Sequence, residues 1–348
     1  MKDCGHRAAV EAALHFEKGD RIPVNNFALV TAARSAGVLV KDARYDPPVS
    51  AKVSIDYALK TKSDFVKPVL DSQVPFADLG MDVRFPADDY GSVRSVLVKT
   101  AEDVDNLAFF DPKKAAECPR FTKCIIDSLK ICAATLPEDL HICGLSWGPI
   151  TTAGYLMGVE DMLMMTFEEG DVVKKLVAKT ADFIAEQQIA MSEAGASLMW
   201  MADPTSSEDI ISPDMFGPYS GDFIKHTIGR VKKATGQLSF LHICGNSTDI
   251  MPAISATGAD CFSFDHAVPI NAAVKAAAHR LPLMGNIDPV KYMLMGTPAE
   301  ITGESDRIMD AAAQDGGFIL APGCETPIAA PDANVIALGT AGENYWKR

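Results

Sequence analysis

A chain of 348 residues, 48% hydrophobic, is long enough to bury one large core or to form two ordinary domains. Its formal net charge of −14 excludes nucleic acid as an expected partner, because a polyanion needs a basic face, and pairs such as Lys113-Lys114 and Lys232-Lys233 are too small to reverse the balance. The start, Met1-Lys2-Asp3-Cys4-Gly5-His6-Arg7, is polar and no long apolar span follows, so no membrane contact is expected, and the eight cysteines are expected to be reduced thiols of a cytoplasmic protein.

Along the chain, eight short apolar runs are each followed by turn residues and then a helical pattern: 22–29, 65–70, 140–147, 197–203, 238–244, 261–267, 281–287 and 317–322. The long gap 71–140 contains Val83-Arg84-Phe85-Pro86 and Val93-Arg94-Ser95-Val96-Leu97-Val98, which alternate like the strands of a hairpin, and then helical patterns around 102–107 and 125–136. Further on, 170–194 carries Val172, Val173, Leu176, Val177 and Phe183 at helical spacing, and 270–279 is an alanine-rich helix. Eight alternating units predict an α/β fold, a TIM (β/α)8 barrel, with an N-terminal extension and a hairpin and helix insertion after the second strand. No repeat, low-complexity tract or linker interrupts it, so 1–348 is expected to be one domain.

In such a barrel the reactive groups collect where the strands end. The fifth run ends in His242-Ile243-Cys244-Gly245, and residues two apart on a strand share a face, so His242 and Cys244 are placed to close on one metal. Cys324 ends the eighth run, in Ala321-Pro322-Gly323-Cys324, and reaches the same rim. One imidazole and two thiolates form three quarters of a tetrahedral zinc site with its last position open, and two thiolates cancel the charge of Zn²⁺. A third thiolate, arriving as substrate, would remain a strong nucleophile, which is chemistry for alkylating a thiol. The same four residues recur at His141-Ile142-Cys143-Gly144, but that run continues to Trp147, which puts His141 and Cys143 at the middle or bottom of the barrel as core.

Taken together, Gly148-Pro149 with Ala153-Gly154-Tyr155-Leu156-Met157-Gly158, then His242-Ile243-Cys244-Gly245, Met284-Gly285-Asn286-Ile287-Asp288-Pro289 and Ala321-Pro322-Gly323-Cys324 resemble the uroporphyrinogen decarboxylase superfamily. Within it they are most similar to the branch of methylcobalamin:coenzyme M methyltransferases, from Asp20-Arg21-Ile22-Pro23 to Asn334-Val335. The resemblance implies a zinc site at His242, Cys244 and Cys324, transfer of a methyl group from a methylated corrinoid to a small thiol, and coenzyme M as that thiol. No part of the sequence is left over for a cobalamin-binding domain, so a separate corrinoid protein is the expected partner.

Departures separate the branches. Tetrapyrrole decarboxylases carry an arginine-rich stretch after the first strand, whereas Asn25-Asn26-Phe27-Ala28-Leu29-Val30-Thr31-Ala32-Ala33-Arg34 has one arginine, and their Gly-His near the last strand is Gly323-Cys324 here. A multiply anionic substrate would be poorly held. A decarboxylase and a non-catalytic corrinoid-binding protein are the alternatives. A smaller departure is Ala330-Pro331-Asp332-Ala333-Asn334, where an acidic residue usually stands directly before the asparagine. Asp203, Asp265 with His266, and Asp288 end the fourth, sixth and seventh runs, and Asp203 and Asp265 are candidate catalytic groups that would orient the ligand histidine or fill the open metal position. Asn246 and Ser247 either cap a helix or meet an anionic substrate, and Met157, Met162, Met164 and Met165 form either packing or an adaptable partner surface.

Overall fold

The computed structural model describes residues 5–68, 71–114, 120–137 and 139–347. Seven strands, β1 (Phe65–Val66), β4 (His141–Trp147), β5 (Leu198–Ala202), β6 (Leu238–Ile243), β7 (Cys261–Phe264), β8 (Leu283–Ile287) and β9 (Phe318–Pro322), lie side by side in that order, every pair parallel. β2 (Val83–Arg84) and β3 (Ser92–Val93) form a separate antiparallel pair. The barrel strands are buried along nearly their whole length, as a parallel sheet covered by helices on its outer face requires. Positions 69–70 of the predicted second run lie outside the described residues.

The ring is closed at its eighth place by Val24, which makes a parallel bridge to Leu320. Asn25 N donates to Leu320 O (2.9 Å), Leu320 N to Pro23 O (2.9 Å) and Asp64 N to Val24 O (2.8 Å), so this residue links β9 to the segment entering β1. The predicted strand 22–29 is thus cut to one bridge. Pro23 has no N–H to give, and beyond Asn25 the side chains of Asn25 and Asn26 accept from Phe27 N (2.9 Å) and Ala28 N (3.2 Å), offering the backbone a turn in place of a ladder. The chain then turns sharply through Phe27, whose φ is +37°.

Inside the ring, Phe65, Trp200 and Phe240 are fully buried, with Phe65 and Phe240 centroids 6.1 Å apart and Trp200 and Phe240 6.3 Å apart. Each such side chain contributes roughly 1.5–3 kcal/mol through loss of water contact. These rings fill the barrel and give the groups above them a solid floor. At the opposite end, buried Asp64 accepts from His6 Nδ1 (2.8 Å) and Arg21 Nη1 (2.9 Å), fastening the N-terminal helix His6–Leu14 beneath the barrel. The insertion is a hairpin followed by the helices Ala101–Asn106 and Arg120–Thr135, and the half-buried Val83 and Val93 dock its inner face on Leu156 and Met157. Among the described residues no helix is long and apolar enough to cross a membrane.

Candidate metal centre

His242 is the fifth residue of β6, buried, and the β6–β7 register sets it opposite Ser263. Its Nδ1 lies 2.9 Å from Ser263 Oγ, which fixes the ring and leaves Nε2 directed at Cys244 Sγ, 3.0 Å away. Phe27 meets the imidazole edge-to-face at 5.0 Å. Cys244 comes directly after β6, and Gly245, at φ +73°, turns the chain away where a Cβ would strike Asp209 Oδ2 at 2.1 Å. Cys324 follows β9 through Gly323, whose N donates to Ile287 O (2.8 Å) and whose missing Cβ would lie 2.4 Å from His266 N. That close approach brings Cys324 Sγ to 3.2 Å from Cys244 Sγ.

Ligand atoms of the three residues all lie within 4.8 Å of one another, and no other trio of His, Cys, Asp or Glu does so among the described residues. Zinc bonds of about 2.3 Å to sulfur and 2.0 Å to nitrogen place tetrahedral ligand atoms roughly 3.5–3.8 Å apart, so the set fits the ion after an outward movement of a few tenths of an ångström. The hydrogen bond from Cys244 holds the Cys324 thiol below its ordinary value against the opposing effect of burial, with His242 adding to the pull. Cys244, the donor, is pushed up by that same bond, by burial and by the Asp265 carboxylate. His242 is the floor of the site, while both cysteines keep partial exposure on its open side.

Asp265 lies beside this centre. Its Oδ1 is 2.6 Å from His266 Nδ1 and accepts from Ala267 N (2.9 Å), and His266 Nε2 is 3.7 Å from Asp288 Oδ2. Asp288 uses its other oxygen to accept from Val290 N and Lys291 N, both at 2.9 Å. Asp203 is placed differently from the sequence expectation. Its carboxylate turns to the start of the helix Pro149–Met157, accepting from Thr151 N (2.9 Å) across the gap left by Gly148, where a Cβ would sit 2.2 Å from Asp203 Cγ. Burial raises its pKa to about 6 against the pull of the Thr151 donors, and Oδ2 has no hydrogen-bond partner. Only its backbone reaches the histidine, through Asp203 N to His242 O (2.9 Å).

The remaining candidates separate cleanly. His141 opens β4 opposite Phe65, its Nδ1 3.2 Å from Ser197 Oγ and its pKa lowered to about 4 by burial. Cys143 is fully buried, and burial raises its thiol to about 12. Asn246 Oδ1 accepts from Thr248 N (3.2 Å) and Thr248 Oγ1 (2.8 Å), a local turn, while Ser247 Oγ is buried without a partner. Met157 and Met162 are core, Met165 is half-buried and Met164 is exposed. The Asn334 amide ties down Met293 O (3.1 Å) and Gly296 O (2.8 Å) and is a packing element. Arg34 is spent on Ala330 O (2.6 Å) and Asp332.

Residues that the apolar pattern did not single out also line the mouth. Lys67 is buried, its Nζ donating to Asn25 Oδ1 (2.8 Å) and Asn26 Oδ1 (2.9 Å), and burial lowers its pKa to about 8. Glu325 follows Cys324; burial and the Asp71 charge raise it to about 8, and its Oε1 has no partner. A lysine two places after Phe65 in an apolar run was the available signal for the first. Ser263 had none, since it depends on strand register.

Fold and site together define a (β/α)8-type barrel with a cysteine-rich candidate metal centre at the C-terminal ends of its strands. The family model for uroporphyrinogen decarboxylase (URO-D) matches residues 6–345, and the chain belongs to that family. It is 27% identical over 254 residues to the methylcobamide:CoM methyltransferase MtbA of Methanosarcina acetivorans, covering 73% of this chain and 71% of that one. It is 24% identical over 303 residues to the uroporphyrinogen decarboxylase of Nostoc punctiforme, covering 85% and 82%. Among solved structures a methyltransferase from Methanosarcina mazei superposes with a TM-score of 0.88 at 22% identity, over 99% of this chain and 100% of that one.

Proposed function

We propose that the protein is a zinc-dependent methyltransferase that moves a methyl group from a methylated corrinoid to a small thiol, with coenzyme M, the acceptor named in its relatives, as the leading candidate. The observation that carries this reading is the convergence of His242, Cys244 and Cys324 with its open side toward the mouth. When bound there, zinc lowers the pKa of a thiol so that the thiolate exists at neutral pH. The chain itself supplies orientation and dryness: Ser263 fixes the imidazole, and Phe27 with Trp200 (centroids 4.9 Å apart) closes the floor to water. In the transfer the acceptor sulfur forms the S–C bond as the Co–C bond breaks, the bonding pair stays with cobalt, which falls from Co(III) to Co(I), and the thiol proton leaves to solvent.

A separate corrinoid protein is the proposed methyl carrier, and the surface supports it. The exposed large apolar side chains, Leu39, Val159, Met164, Phe167, Ile210, Val290 and Met295, all lie between the C-terminal end of a strand and the helix that returns along the barrel. Scattered singly such residues mean little, but their shared place after strand ends, on the side of the barrel where the candidate site lies, suits a docked partner. The decarboxylase alternative meets the difficulty that Arg34 is already committed to Ala330 and Asp332. Assay with free methylcobalamin and 2-mercaptoethanesulfonate tests the reading: methyl–cobalt absorbance should be lost only with zinc present, and uroporphyrinogen should release no carbon dioxide. Mixing zinc enzyme with thiol alone should liberate close to one proton per site, since a free thiol with a pKa of about 8.5 is mostly protonated at neutral pH. Thiol binding without proton release would remove the metal from the mechanism.

A further inference from the structure

Phe65 and Phe240 meet ring to ring in the barrel interior, 6.1 Å apart. Lys67 comes directly after β1 and His242 lies near the end of β6, each two residues beyond its ring, so both stand on the mouth side of the aromatic floor. The lysine is 3% exposed and makes no ion pair within 4.0 Å among the described residues, although the Glu325 carboxylate acts on it at longer range. Two of the three N–H bonds of its ammonium go to Asn25 Oδ1 and Asn26 Oδ1, and the third has no partner among the described residues. A buried cation left with an open donor is costly unless something anionic completes it.

The platform that holds the amino group is fastened to the metal-ligand loop. Thr326 N donates to Phe27 O (2.8 Å) and Thr326 Oγ1 to Asn26 O (2.7 Å), so the segment carrying the acceptors of Lys67 and the segment carrying Cys324 are one unit. Asn25 Nδ2 reaches Met284 Sδ at 3.4 Å, which keeps that side chain turned into the barrel. Because the acceptors of Lys67 and the Cys324 loop are one unit, the ammonium is tied to the same end of the barrel as the metal-ligand candidates. We propose that Lys67 is the anion anchor of the acceptor, and that the acceptor is a short thiol with a negatively charged group a few bonds from sulfur. This rests on the methyl-transfer reading and adds the group that selects its substrate.

Thiol binding can be read without methyl transfer by replacing zinc with cobalt(II) in the whole protein and following the increase in thiolate-to-cobalt charge-transfer absorption above that due to Cys244 and Cys324. Titration with 2-mercaptoethanesulfonate, 2-mercaptoethanol and 2-mercaptoethylamine compares anionic, neutral and cationic ends on the same two-carbon thiol. The wild type should prefer the sulfonate, and Lys67→Met should reduce its preference over the alcohol roughly tenfold to a hundredfold, as expected for a hydrogen bond between two charged groups. The alcohol is the internal control, because a folding defect lowers both affinities together. Glu325→Gln should leave the sulfonate at least as tightly bound. An unchanged preference in Lys67→Met overturns the anchor, as does wild-type preference for the amine lost in Glu325→Gln. Failure of every thiol to change that absorption overturns the methyl-transfer reading itself.

Discussion

Ser263 touches the proposed metal site only through the imidazole, yet the chemistry of His242 depends on it. With Nδ1 engaged at 2.9 Å, Nε2 is free to bind a cation, and loss of such a partner typically weakens metal affinity ten- to a hundredfold. Ser263→Ala should show that loss in a chelator competition while its far-UV circular dichroism stays that of the wild type. Asp203 makes a different prediction. Its folded pKa, about 6, lies above the unfolded value of 3.8, so its contribution to stability is full below about pH 4, declines as pH rises and is lost above about pH 6. Asp203→Asn removes that dependence. Its urea midpoint should therefore improve relative to wild type on going from pH 4 to pH 7, and a constant difference would show that the carboxylate does not titrate in this window.

At the scale of elements, the site is set by where strands stop. Gly323 lets β9 end against the backbone of His266, and any side chain there must move one loop or the other, since the obstacle at 2.4 Å is a main-chain nitrogen. Gly323→Ala should cost about 1–3 kcal/mol, the usual range for overpacking, and should reduce zinc retention because the loop that shifts carries Cys324. Chemical denaturation and metal analysis of one preparation check both effects. A variant that loses stability but keeps full zinc would show that Cys324 does not depend on this close approach.

Over the whole molecule, the core is independent of the metal centre. Buried apolar side chains fill the barrel and the spaces beneath its helices, and among the described residues only His242, Cys244 and Cys324 would answer to zinc. The chelated protein should therefore keep its secondary structure, while its melting temperature rises with added zinc by mass action. Cys324→Ser should lose both that rise and most of the roughly one zinc per chain expected of a single site, and Cys143→Ser, a buried core change, should keep them. Equal zinc loss in the two variants would count against the assignment.

The sequence by itself determined the barrel class and which three residues stand together at strand ends as candidates for a metal. Period-two apolar runs followed by helical patterns are local signals, and His242, Cys244 and Cys324 stand at strand ends where a local reading suffices. The repeated His-x-Cys at 141–143 was separable because its run continues to Trp147. Side-chain hydrogen bonding by Asn25 and Asn26 shortened the first strand to a bridge, a competition between side chain and ladder that alternation does not reveal. Only the tertiary structure decided what each candidate faces. It turned Asp203 to a helix start, set Ser263 against the imidazole, and held the Lys67 ammonium between Asn25 and Asn26, because strand register and barrel closure bring together residues that share no sequence neighbourhood.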